Sequence, residues 1–189
     1  MFRRGFMKKS LVMFMLLAML SVFSCGCAKE KKFVGSKNTP GYNIDMQIYQ
    51  SVDEIKDNCT AIVIASYSED PIDFYEEEWD LHSSRYSLHI EKVLKGDLQE
   101  GNKVVFSQMG KPNDDDYETK IKKGKRYLLF LCQKDLESTK GEIIYDAAGV
   151  EQGIVEIKNN NKLYSYYDTG IMPEYDGKDL EKLENQIFK

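Results

Sequence analysis

Histidine is almost absent: His82 and His89 are the two in a chain of 189 residues. General acid–base work falls most often to histidine, so the sequence holds few groups for catalysis. The patterns G-x-S-x-G and H-E-x-x-H are missing, and no glycine-rich phosphate loop occurs. Four cysteines are too few for a disulfide-dense scaffold. Excess positive charge is lacking too. Residues 1–24 hold four basic groups and no acidic one, which leaves the remainder with 22 basic against 31 acidic, a net charge of −9. Non-specific nucleic-acid binding needs clustered Lys and Arg to neutralise phosphates, so nucleic acid is not an expected partner. No repeat of fixed period and no cofactor motif is present. What the chain does have is 42% hydrophobic and 12% aromatic residues, enough for the core of one ordinary domain.

The longest apolar run is Leu11–Phe23, interrupted by Ser21 alone. Its 13 residues, at about 1.5 Å each, make roughly 20 Å of helix, short of the roughly 30 Å hydrocarbon core. Arg3, Arg4, Lys8 and Lys9 precede it and small residues follow, the pattern of a secretory signal. Val22-Phe23-Ser24-Cys25 resembles the bacterial lipobox. That resemblance implies a diacylglycerol on the cysteine thiol and cleavage that makes the cysteine residue one. Cys25 is favoured because Val22 suits the position three places upstream; Ser24-Cys25-Gly26-Cys27 offers a second register on Cys27. A dually acylated cysteine holds a protein stably on a membrane, and Lys29, Lys31 and Lys32 would favour an anionic surface. Phe2–Lys8 also looks like a twin-arginine signal, but the very apolar run and the lack of a cofactor motif favour ordinary Sec export. Ala28–Asn43 is polar, contains Gly35, Pro40 and Gly41, and reads as a stalk. The expected organisation is a signal peptide over 1–24, a lipidated cysteine and flexible tether over 25–43, and a single domain over 44–189.

Within that domain Ser51-Val52-Asp53-Glu54 is a capping-box signature, and Val52 and Ile55 share a face with Ile48 one turn earlier. A short helix ending near Asn58 is expected. Cys59–Ser66 is β-branched and nearly continuous in its apolarity, so its strand should be central or strongly bent. Residues 69–80 then carry seven acidic side chains with Pro71, Phe74, Tyr75 and Trp79, and read as an acidic loop. From Ser84 a long strand alternates Tyr86, Leu88 and Ile90 with polar residues until the adjacent Val93-Leu94, which suggests a bulge. Val104–Phe106, Gly124–Cys132, Glu142–Ala148, Gly153–Ile157 and Lys162–Tyr167 supply further strands, with a turn at Asn159–Asn161. Leu180, Leu183 and Ile187 recur at helical spacing. The expected fold is mainly β, a small OB-like β-barrel with a short N-terminal helix and a C-terminal helix.

The order of elements resembles that of bacterial extracellular domains with a tissue-inhibitor-of-metalloproteases-like (netrin-like) OB barrel. Thr60–Ala65, Val93–Asp97, Gly101 with Val104, Lys123–Leu131, and Gly149 with Gln152-Gly153 carry the likeness over about residues 50–157. In the inhibitors a free N-terminal cysteine at the barrel edge chelates the target's zinc. No cysteine holds that position here, since the terminal one is lipid-bound and distant from the barrel.

Candidate sites follow from the loops. Phe74, Tyr75 and Trp79 amid acid, with His82 beside them, form a candidate binding loop, since aromatic residues on loops are common interface anchors; the alternative is that these rings fold back and cap the barrel. His89 falls on the polar face of its strand. Asp114, Asp116 and Glu118 alternate and could offer oxygens to calcium, yet Thr119 and Lys125 stand where an EF-hand needs glycine and an acid. No cofactor is expected. Asp168-Thr169-Gly170 matches the aspartic-protease triplet, three common residues long. Cys59 and Cys132 are either a disulfide or buried thiols. The functional expectation is a membrane-anchored, outward-facing lipoprotein whose barrel binds an extracellular protein or ligand through residues 69–82 and 111–119, and which is not an enzyme. Protease inhibition is the alternative, and hydrolysis a third reading without a supporting constellation.

Overall fold

A helix starts where Ser51 can close it. In the computed structural model, which describes residues 47–77, 80–112 and 121–189, α1 spans Val52–Asp57. The Ser51 hydroxyl accepts from the Glu54 N–H at 3.1 Å, and the Glu54 carboxylate accepts from the Gln50 N–H at 2.8 Å. Val52 and Ile55 are buried as expected, but the buried residue before the helix is Tyr49 rather than Ile48. The helix begins at Val52, so Ile48 is never on its face. The signal peptide, the whole tether with Cys25 and Cys27, and residues 44–46 lie outside the described residues.

Eight strands follow: β1 (Ala61–Ser66), β2 (Ile72–Glu76), β3 (Leu81–Lys95), β4 (Lys103–Met109), β5 (Arg126–Gln133), β6 (Ile144–Ala147), β7 (Ile154–Ile157) and β8 (Leu163–Ser165). Pairing runs β1–β3–β4–β6–β5, and β5 returns to β1, so five strands close a ring. All contacts in the ring are antiparallel except β4 with β6. This is the expected mainly β, OB-like barrel. β7 continues along the edge of β5 beyond β6, and β8 pairs with β7.

Alternation decides which side chains fill the barrel. Ala61, Val63 and Ala65 of β1, Tyr86, Leu88 and Ile90 of β3, Phe106 of β4 and Tyr127, Leu129 and Leu131 of β5 make the interior. Ile62 and Ile64 of β1 with Leu128 and Phe130 of β5 point outward, under α1 and the C-terminal helix α2 (Leu180–Ile187). Both faces of β1 and β5 are therefore buried, which is why these two stretches read as continuous apolar runs. β3 bends as its sequence suggested: its register with β1 slips at Leu94 and again at Glu91. Each slip adds twist that helps the sheet to close.

Gly96, just past β3, has φ +91, and a Cβ there would stand 2.7 Å from the Thr60 carbonyl oxygen. Gly101 has φ +84 with open space around it. Both are left-handed, so a comparison isolates the close approach. Gly96→Ala should cost about 2–4 kcal/mol and Gly101→Ala about 1 kcal/mol, measured as urea-unfolding free energies. Equal losses would show that the backbone contact does not matter.

Candidate functional site

The acidic stretch is the main departure from expectation. Residues 72–76 form β2, which pairs with the first five residues of β3, Tyr75 opposite His82 and Phe74 opposite Ser83. Ile72, Phe74 and Glu76 alternate with Asp73 and Tyr75, a period of two that the density of carboxylates hides. β2 pairs with β3 alone, as an edge strand, and edges tolerate charge.

The hairpin's two faces differ. On one, the Tyr75 and His82 rings are 4.7 Å apart, and His82 Nδ1 lies 2.9 Å from Asp73 Oδ1. Tyr75 donates its hydroxyl to Asp80 at 2.9 Å, a bond that pushes its phenol above the usual value. On the other, the Arg85 guanidinium lies 3.4 Å from the centre of the Phe74 ring and donates to Glu142 at 2.8 Å. Arg85 thus joins β2 to the segment that leads into β6. Ile72, beside Arg85 on this face, is 69% exposed, and Tyr75 on the opposite face is 45% exposed. So Phe74 is half-buried as the platform of a cation, whereas Tyr75 faces solvent. Trp79 lies outside the described residues.

Gly110, just after β4, and Ile121 and Lys122, farther along the chain, bond at the same end of the barrel. The Gly110 N–H donates to the His82 carbonyl at 2.7 Å, and the Ser84 hydroxyl donates to the Gly110 carbonyl at the same distance. Farther on, the Ile121 N–H donates to Gln108 Oε1 at 3.0 Å, Tyr67 donates to the Ile121 carbonyl at 2.9 Å, and the Lys122 N–H donates to the Tyr127 hydroxyl at 2.8 Å. Burial pushes the Tyr67 and Tyr127 phenols up to about 12, so both stay neutral and able to bond. Gly110, just before the expected 111–119 stretch, therefore meets the β2–β3 hairpin at one end of the barrel. Asp114, Asp116 and Glu118 lie outside the described residues.

A carboxylate that the sequence analysis did not single out sits nearby. Glu156 of β7, opposite Tyr127, is 1% exposed. Tyr166 donates its hydroxyl to Glu156 Oε2, Lys158 Nζ lies 2.7 Å from the same oxygen, and Lys125 Nζ lies 3.8 Å from Oε1. Burial alone would raise its pKa, but the Lys158 and Tyr166 hydrogen bonds and the two ammonium charges outweigh it, and the net shift is downward. The signal available was an acid at an inward position of an apolar strand. Because the folded-state value lies below the unfolded one, the stabilisation is present above the unfolded value and is lost as pH falls through the folded one. Glu156→Gln should accordingly flatten the acid limb of the stability–pH curve below the ordinary glutamate value of 4.5, measured by urea unfolding across pH 2–6. An unchanged slope would show that Glu156 is not held as a carboxylate.

The other candidates sit elsewhere. His89 is exposed. Cys59 and Cys132 are free thiols that donate to the carbonyls of Lys56 and Asn58, and burial pushes Cys59 up to about 11. Asp168-Thr169-Gly170 lies in a turn in which Gly170 packs against Tyr49 and Gln152. Gln152, 1% exposed, accepts from the Tyr49 N–H at 3.0 Å and donates to the Gln47 carbonyl at 2.8 Å, which ties the start of the domain to the barrel. Among the described residues no group of three or more His, Cys, Asp or Glu is arranged to hold a metal, and no helix is long and apolar enough to cross a membrane. No family model and no curated protein matches this chain.

Proposed function

We propose that this chain is a bacterial lipoprotein, anchored in the outer leaflet of the cell membrane through Cys25, whose barrel is a binding module for a protein or ligand outside the cell. The leader, the lipobox-like Val22-Phe23-Ser24-Cys25 and the polar stalk support the anchor. The ring order of the five strands supports the likeness to netrin-like domains as a fold, and folds of this kind do not fix an activity. The observation that carries the binding reading is the β2–β3 hairpin. It presents exposed Ile72 and Tyr75, the Phe74–Arg85 stack and a run of carboxylates at the barrel end that Gly110 also reaches. Apolar anchors amid charge suit a partner surface better than bulk solvent.

Mass spectrometry on the membrane fraction should find a chain that begins at acylated Cys25; an intact Met1 with unmodified thiols in cytosolic extract would overturn the anchor. Photo-crosslinking on intact cells should capture a partner that is lost, about ten-fold or more, in Phe74→Ala and Trp79→Ala chains. Undiminished capture by both would overturn the assignment of this end.

A further inference from the structure

The hairpin also indicates what kind of partner fits. We infer that the open edge of β2 takes up an extended, positively charged peptide segment as an additional strand. This rests on the reading that the β2 end is the binding end, and it goes further by naming the partner's chemistry.

The first ground is the edge itself. β2 is hydrogen-bonded to β3 on one side, and among the described residues no strand pairs with its other side and no backbone group bonds to it there. A row of unpaired N–H and C=O groups is a template for an incoming strand, and main-chain bonds supply the affinity of such complexes. Both faces of β2 are fixed before anything binds. Phe74 is clamped beneath Arg85, and Tyr75 is held by the His82 ring and by its bond to Asp80. An edge held in its paired geometry loses little further entropy on docking.

The second ground is charge. Asp73 and Asp80 are engaged within the hairpin, Glu69 pairs with Lys103, and Asp70 pairs with Lys123 at 2.8 Å. Glu76 and Glu77 have no ion pair among the described residues. They stand at the far end of the strand, where the field of Glu76 also reaches Asp146 on β6. A second copy of β2 laid parallel and in register on this edge would bring Asp73 against Asp73 and Glu76 against Glu76, which is destabilising across strands. Acid on an edge therefore rejects that self-pairing while it admits Lys and Arg. Between the acids, Ile72 and Tyr75 offer apolar surface on opposite faces, so the complementary strand alternates basic with β-branched residues.

The test uses the full chain in detergent micelles and three fluorescein-labelled heptapeptides. One is Lys-Val-Arg-Val-Lys-Val-Arg, the second replaces its basic residues by Glu, and the third keeps the charge but replaces every Val by Pro. The basic valine peptide should bind and slow amide exchange along β2. Glu76→Lys with Glu77→Lys should weaken it about ten-fold, and a rise from 50 to 300 mM salt should weaken it similarly. The proline peptide, unable to form a ladder, should not bind. Equal binding of the proline and valine peptides would overturn strand addition, since charge alone would then suffice. Binding of the acidic peptide, or dimerisation through β2, would overturn the charge argument. A failed peptide series beside a crosslinked partner lost in Phe74→Ala would sink this inference and leave the binding end standing; capture unaffected by both Phe74→Ala and Trp79→Ala would remove both.

Discussion

β1 is bonded along both edges, to β3 on one side and to β5 on the other, and that double pairing is the constraint from which the architecture follows. A six-residue strand can close a five-stranded ring only if a neighbour bends around it. β3 supplies the bend, with extra residues at Glu91 and Leu94. Closure removes the edges of the five ring strands, and it gives β1 and β5 two buried faces, one filled by the barrel interior and one by α1 and α2. Gly96, pressed against Thr60 and Ala61, marks where the chain turns away from that closure.

β3 has 15 residues against the six of β1, so its first half extends beyond the pairing with β1. β2 occupies the vacated side of that half, on the same edge that β1 covers lower down. The hairpin at the barrel end is thus a consequence of a long strand beside a short one. Tyrosines at this end keep their phenols neutral and bond to the backbone of Ile121 and Lys122, while Glu156 keeps its charge because two ammonium groups and a phenol face it. The result is a closed ring of five strands, beside which β2, among the described residues, keeps a charged edge unpaired.

Much of this was legible in the residues. The alternation of Tyr86, Leu88 and Ile90, the slip at Val93-Leu94, the Ser51 cap and the helical spacing of Leu180, Leu183 and Ile187 all follow from short-range physics, and the structure has each of them. β2 was not legible, because an edge strand is under no demand to be apolar and its carboxylates mimic a loop. The extension of β4 to Met109 is hidden for a related reason: Ser107 and Gln108 are polar, yet Gln108 is buried against the backbone of Ile121. The parallel contact of β4 with β6, and the meeting of Glu156 with Tyr166 and Lys125, depend on chain reversals that no local pattern encodes. Gln152 enters the sequence reading only beside Gly149 and Gly153 as part of the family likeness, and its work on Gln47 and Tyr49 is visible only in three dimensions.

A closed ring and an open edge should differ sharply in how their amides exchange, because exchange reports local opening free energies. Amide hydrogen exchange on the intact chain, without a partner, is the direct measurement. β1 and β5 amides should exchange only through global unfolding, while alternate amides of β2 exchange orders of magnitude faster than the ones between them that face β3. Uniformly slow exchange along β2, or fast exchange along β1, would contradict a closed barrel beside an open β2 edge.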